Sequence, residues 1–390
     1  MPVAVVLVTA CGAMPFTDPD WAPRVGKSVL KLRWTRNLGP ADKNFFIPEM
    51  LEEHDRFNPV ETGAAGFDTD KQRVFVGVAV GGLYCLDVRS GKTVWRFDLD
   101  DAVGSKPLYD PDRRRVYFGA DDGVLYALHA RSGRKLWATE TGSEIRRVIH
   151  MREDTLYLAN ADNTILAVDP EGGEVIWRYR RPPIEGFSAS GYADIVFHGK
   201  AVIGAFADGT VASLDAISGA INWSSDLAGE IVTATREGEV NLLDADATPV
   251  LTRGVLVAAS VAGGVYGMSA DNGNVRWTRP DIDRVTGLAE TNGLAVAARA
   301  STGLVAIDPT TGKTEWSSRF GMGILQDPVV YDDLLLVSDS EAGLFVASSS
   351  DGRVLQRLDQ KGGFFARPSG HGGYMMIMGN RSTLYAMSIH

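Results

Sequence analysis

The side chains able to do chemistry are spread through this sequence without the spacing that chemistry needs. Six histidines, His54, His129, His150, His198, His371 and His390, stand far apart. None has the short separation from a second His or Cys that a metal site uses. Acids and amides such as Asp110, Asp112, Asn160 and Asp162 fall between short apolar runs. A short polar side chain at such a place closes a turn by bonding its own backbone, so these are read as turn formers. There is no Gly-x-Ser-x-Gly elbow and no phosphate-cradling glycine loop. No catalytic residue, metal site or cofactor is expected.

Two cysteines have different surroundings. Cys85 lies in the run Leu83-Tyr84-Cys85-Leu86 and reads as a small buried hydrophobe. Cys11 ends an apolar stretch that starts at Pro2, too short to span a bilayer but long enough for the core of an export signal. Val8-Thr9-Ala10-Cys11 is similar to a bacterial lipobox, in which a peptidase cuts before a diacylglycerol-bearing cysteine. No Lys or Arg precedes the stretch, a departure from ordinary export signals. Residues 1–11 are therefore expected to be a signal and lipobox segment with Cys11 as the lipid anchor. Residues 12–27 are expected to be a linker. Gly12 comes after the anchor, not the Asp that marks inner-membrane retention in enterobacteria.

The 390 residues carry a net charge of −10 and no strongly basic block in sequence. Phosphate binding needs a positive footprint, so a nucleic-acid partner is disfavoured. The same acidity argues against broad attraction to an anionic membrane. The 43 glycines suit a chain with many turns.

A repeat positions these side chains. A Gly is followed by an apolar run ending near Asp, then a turn containing Gly, then Trp four residues on. Gly82 to Asp87 with Gly91 and Trp95 is one copy, and Gly123 to His129 with Gly133 and Trp137 is the next. Further copies carry Trp177, Trp223, Trp277 and Trp316, and Gln356 takes the Trp place in the copy that begins at Gly343. From Trp95 the steps are 42, 40, 46, 54, 39 and 40 residues, the length of four short strands and one propeller blade. The inner strands are apolar on both faces, so each sheet must be covered on both sides. Blades stacked around an axis supply that cover, with the Trp packed between neighbours. Burying one indole is worth about 4–6 kcal/mol at most.

Eight Gly-type strands are present, and the last, Thr383 to Ser388, has no Trp strand after it. One Trp strand, Leu30 to Thr35, has no Gly strand before it. The count closes if that strand completes the last blade. Residues 28–390 are therefore expected to form one all-β domain: an eight-bladed β-propeller of four antiparallel strands per blade, with an N-terminal strand as closure.

The repeat resembles the pyrroloquinoline-quinone-type propeller repeat, shared by quinoprotein dehydrogenases and the outer-membrane protein assembly factor BamB family. The dehydrogenases imply a longer chain, often with adjacent cysteines, and a carboxylate–amide calcium site with a catalytic Asp at the propeller centre; this sequence has no Cys-Cys. Length, blade count, closing strand and lipobox-like Cys11 resemble the BamB plan instead. Asp244-Ala245-Asp246-Ala247-Thr248-Pro249-Val250 looks like that family's Asp-x-Asp-x-Thr-Pro-Val stretch. There, the two aspartates help bind POTRA domains of the barrel-inserting subunit BamA. Phe187-Ser188-Ala189-Ser190 stands where the family has Leu-x-Leu-Arg, so Phe187 replaces a leucine anchor and the arginine is missing. The resemblance implies a lipid-anchored, non-enzymatic scaffold on the periplasmic face of the outer membrane. Its implied partners are BamA and other barrel-assembly subunits, with unfolded outer-membrane proteins as a further partner class. A sensing or adhesion propeller is the alternative, and a redox enzyme the third reading.

The residues point to the same region without the resemblance. The two long steps both lengthen a joint from a Trp strand to the next blade, and they flank one blade. Equivalent joints open on one face, and long loops on a rigid scaffold carry function. A third long joint, Asn37 to Gly66, carries Phe45-Phe46-Ile47-Pro48.

Overall fold

A computed structural model describes residues 16–17, 28–39, 60–69, 72–181, 193–227, 247–260 and 263–390. They form eight antiparallel sheets in a ring. Blade 1 comprises Gly66–Asp68, Arg73–Gly77, Leu83–Asp87 and Thr93–Phe97, ordered from axis to rim. Six more blades of four strands succeed it in sequence, ending with blade 7 at Val329–Tyr331, Leu334–Asp339, Gly343–Ser348 and Val354–Asp359. Blade 8 takes its three inner strands, Ser369–His371, Tyr374–Gly379 and Thr383–Ile389, from one end of the sequence and its rim strand, Leu30–Asn37, from the other. The expected fold and closure are both present.

Burial along the strands explains why each sheet is covered on both faces. Val255–Ser260 and Gly264–Ser269, the middle strands of blade 5, are buried at every position. Rim strands such as Thr93–Phe97 alternate between exposed and half-buried. Eight apolar clusters result, one between each pair of neighbouring blades. The cluster joining Met376, Met378 and Leu384 of blade 8 to Val74, Val76 and Tyr84 of blade 1 closes the circle.

The Gly and Trp of the repeat act between blades, not within one. Trp95 of blade 1 donates its indole N–H to the Ala130 carbonyl of blade 2 at 2.9 Å. Its ring lies over Gly133, where a Cβ would stand 2.7 Å from the ring and φ is +69°. Only glycine tolerates both the close approach and the left-handed backbone without strain. The same indole-to-carbonyl bond recurs for Trp34, Trp137, Trp177, Trp223 and Trp277, each to the next blade. A bulge precedes each of these Trp residues. In blade 1, Cys85 pairs with Trp95 but Leu86 with Thr93, leaving Val94 as the extra residue. One extra residue changes the side-chain parity of the strand and re-aims the side chains beyond it.

Blade 8 has no turn for a Trp of blade 7 to cover, because its third and rim strands come from opposite ends of the sequence. Gln356 stands there instead. Its carbonyl accepts from Leu30 N at 2.8 Å, and its amide donates to Leu30 O at 3.1 Å and Ser28 Oγ at 2.9 Å. The residue that breaks the repeat thus grips the closing strand. Residues Phe16–Thr17, inside the segment expected to be a linker, pair antiparallel with the rim strand of blade 7 at Leu358 and Arg357.

Alternating strand direction gives the ring two distinct faces. Turns between first and second strands, and between third and rim strands, lie on one face. Turns between second and third strands, and the joints between blades, lie on the other.

Candidate functional site

The expected site residues Phe187, Asp244 and Asp246, and the expected anchor Cys11, all lie outside the described residues. So does the Phe45-Phe46-Ile47-Pro48 segment. The structure does place the points where the two long joints leave and rejoin the ring, on either side of blade 4. The first departs after Arg181, whose backbone N–H donates to Asn163 O at 3.1 Å and whose guanidinium holds the Asp208 carboxylate at 2.6 Å. It rejoins at Asp194. The second departs after Leu227, which is fully buried and bonds Gly209 O. It rejoins at Ala247 and Thr248.

The two rejoining points touch. Asp194 N–H donates to Thr248 Oγ at 3.0 Å. Thr248 belongs to the Asp-x-Asp-x-Thr-Pro-Val stretch, so the end of that stretch is fixed against the end of the neighbouring joint. Asp194 is itself buried, accepting from Ile195 N and pairing with His150 Nε2 at 2.9 Å. Burial works against the charged form of His150, but the Asp194 carboxylate outweighs it and holds the imidazole above its ordinary pKa. Sequence reading had no signal for this contact, because the three residues come from three different blades.

The axis is the other place where side chains converge. Arg147 of blade 3 and Asp327 of blade 7 lie on opposite sides of an eight-membered ring and meet at 3.2 Å. Arg367 of blade 8 pairs with the same carboxylate. A cavity of about 210 Å³ beside them is lined by Lys106, Arg146, Gln326 and Phe365, among others. Burial lowers the Lys106 pKa, and Asp194 partly offsets it. A calcium centre needs converging oxygen ligands. Here Asp327 Oδ2 is shared by two guanidiniums, whose positive charge repels a divalent cation, so these residues do not fit the calcium centre of a quinoprotein dehydrogenase. Among the described residues no group of three or more His, Cys, Asp or Glu could hold a metal ion.

The turn formers do what their type dictates. Asp110 Oδ1 accepts from the backbone N–H of Asp112 and Arg113, and Asn160 Oδ1 accepts from Asp162 and Thr164. Histidines are similarly engaged: His129 bonds Ser132, His198 pairs with Asp271, His390 bonds Ser388, and His371 packs on Phe67. Cys85 is fully buried, and burial pushes its thiol up to about 12. Among the described residues no helix is long and apolar enough to cross a membrane.

Known proteins share this geometry. A curated relative described as outer membrane protein assembly factor BamB, from Yersinia pestis, is 26% identical over 238 residues, covering 60% of this chain and 59% of its own length. The chain thus spans about three-fifths of that relative. The crystal structure of BamB from Moraxella catarrhalis superposes with a TM-score of 0.71 at 18% identity, covering 93% of this chain and all of that one. Quinohemoprotein alcohol dehydrogenase from Comamonas testosteroni also superposes, with a TM-score of 0.65 at 14% identity over 92% of this chain and 76% of its own, a likeness of fold alone. The family model described as outer membrane protein assembly factor BamB matches residues 31–114, 111–318 and 285–389, almost the whole propeller. With the tryptophan-linked ring, the closing strand and this match together, the chain belongs to the BamB family.

Proposed function

We propose that this protein is a non-enzymatic docking scaffold for the assembly of outer-membrane β-barrel proteins. In this reading it is lipid-anchored through Cys11 at the periplasmic face of the outer membrane. The face with the two long joints grips POTRA domains of BamA. Asp244 and Asp246 present carboxylates to cations or backbone N–H donors, and Phe187 supplies an apolar anchor, since interface energy concentrates in a few buried groups. The supporting observation is the Asp194–Thr248 bond, which brings the ends of the two joints together on one face of blade 4. A rigid ring below and long joints above is the arrangement that binding loops use.

The test is the double variant Asp244→Ala with Asp246→Ala, measured against isolated POTRA domains. Losing a buried charged contact costs about 2–5 kcal/mol, mostly as faster dissociation, with the melting curve unchanged. Normal affinity would overturn the docking assignment. A fall in melting temperature with normal affinity would make the two acids turn caps instead.

A further inference from the structure

We propose that the axial cavity on the joint face binds a small organic oxyanion, a carboxylate or a phosphate ester, through Lys106 and Arg367. This goes beyond the docking reading and does not rest on it. Five joints supply the lining, those that enter blades 1, 2, 3, 7 and 8. Four of the lining side chains are cations, Lys106, Arg146, Arg147 and Arg367, and none is a carboxylate. The chain as a whole carries −10, so the cavity reverses its charge locally.

The repeat explains why these residues converge. Each joint ends by entering the innermost strand of the next blade, so the residues just before that strand stand at the axis. Two residues before it come Ala64, Lys106, Val148, Thr248, Asp327 and Arg367, in blades 1, 2, 3, 5, 7 and 8. Lys106 and Val148 are bridged in parallel through their backbones, so equivalent positions are neighbours in space. Proline follows Lys106, Thr248, Asp327 and Arg367. A residue before proline is confined to extended backbone, which fixes where its side chain starts.

Lys106 is half-buried, and its ammonium has no hydrogen-bond or ion-pair partner among the described residues. Asp194, the carboxylate that acts on it, is already paired with His150 Nε2 at 2.9 Å. An ammonium withdrawn from water is costly without a countercharge. Arg367 has five N–H donors and meets one carboxylate, Asp327, which Arg147 also holds. Both side chains therefore have donors left for a bound oxyanion, and charge-assisted bonds of this kind are the strong ones. Thr62 and Gln326 add neutral polar groups, and Phe365 and Val148 an apolar wall. An apolar wall beside convergent donors suits an organic ligand rather than a bare ion. A volume of about 210 Å³ admits a molecule of a few carbons with its anionic group and is too small for a folded partner.

The test is calorimetric titration of the full chain with succinate and with glycerol phosphate, each beside its uncharged counterpart, succinamide or glycerol. Saturable binding of at least one of the two anions is expected, with none of the neutral compounds. The tighter of the two separates a carboxylate ligand from a phosphate ester. Lys106→Gln should weaken binding about ten-fold or more, the loss of one charged hydrogen bond. Its melting temperature without ligand should stay at or above that of wild type, because an unpaired ammonium is removed. Lys106→Arg should retain most of the affinity, and Lys135→Gln, on the opposite face, all of it. No saturable binding of either anion, or undiminished binding by Lys106→Gln, would overturn the proposal, as would a Lys106→Gln chain that loses affinity only by unfolding. Inorganic phosphate bound as tightly as either organic anion would make this a bare-ion site and overturn the organic ligand. If polyglutamate bound through Lys106 while neither small anion did, the cavity mouth would belong to an acidic polypeptide and the proposal would fall.

Discussion

At the scale of single residues, the least ordinary group is Glu61, a fully buried carboxylate where blade 8 meets blade 1. Ser382 Oγ donates to its Oε1 at 2.5 Å and Ala79 N–H to its Oε2 at 2.9 Å, so it ties turns of both blades across the closing joint. Burial raises its pKa above the ordinary 4.5, and the hydrogen bonds only partly oppose this. The folded ring therefore holds this proton more tightly than the unfolded chain does. The stability so contributed is complete below about pH 4.5 and is lost as pH rises through the raised value. Glu61→Gln stays neutral at every pH, accepting from Ala79 and donating to Ser382. Its melting temperature relative to wild type should be highest near neutral pH, and the advantage should shrink as pH falls towards 4. A difference that is flat from pH 4 to 8 would contradict this account. Glu61 carried no signal in sequence; only burial by two distant segments distinguishes it from a surface glutamate.

Strands and turns reveal a second level of design. Tryptophan four residues after a turn glycine marked both residues as structural, with the ring expected between neighbouring blades. The structure adds that each described repeat tryptophan covers the turn glycine of the following blade. Trp223, among the most buried, should cost about 3–5 kcal/mol as Trp223→Ala, the range for losing a buried aromatic. Gln356 belongs to the same level. It was visible in sequence only as a gap in the pattern, because its partners Ser28 and Leu30 lie more than 320 residues away. Gln356→Ala leaves the Leu30 backbone without its partners and should cost about 1–3 kcal/mol. Gln356→Trp should also destabilise, since no glycine turn awaits the ring. Urea denaturation of the three variants measures all these costs, and a Gln356→Trp chain as stable as wild type would show that the turn is not what decides the residue.

For the whole molecule, the ring is closed by pairing Leu30–Asn37 with Thr383–Ile389. Deleting residues 28–38 should expose the edge of blade 8, remove both the Trp34 and the Gln356 contacts, and lower the melting temperature of the entire ring with increased aggregation, because an open edge is unpaired and sticky. An unchanged melting temperature would contradict the closure. By itself the sequence determined the blade count, the strand order and the closing strand, because a repeat near 40 residues with buried two-sided strands admits few other packings. It also marked the two long joints, since step lengths are additive along the chain. Only tertiary structure decided which blade each tryptophan serves, why Gln356 interrupts the series, and that Arg147 and Asp327 meet across the axis. Local patterns specify a blade because its hydrogen bonds are mostly between neighbours in sequence; contacts between blades depend on ring geometry, which no short stretch of sequence contains.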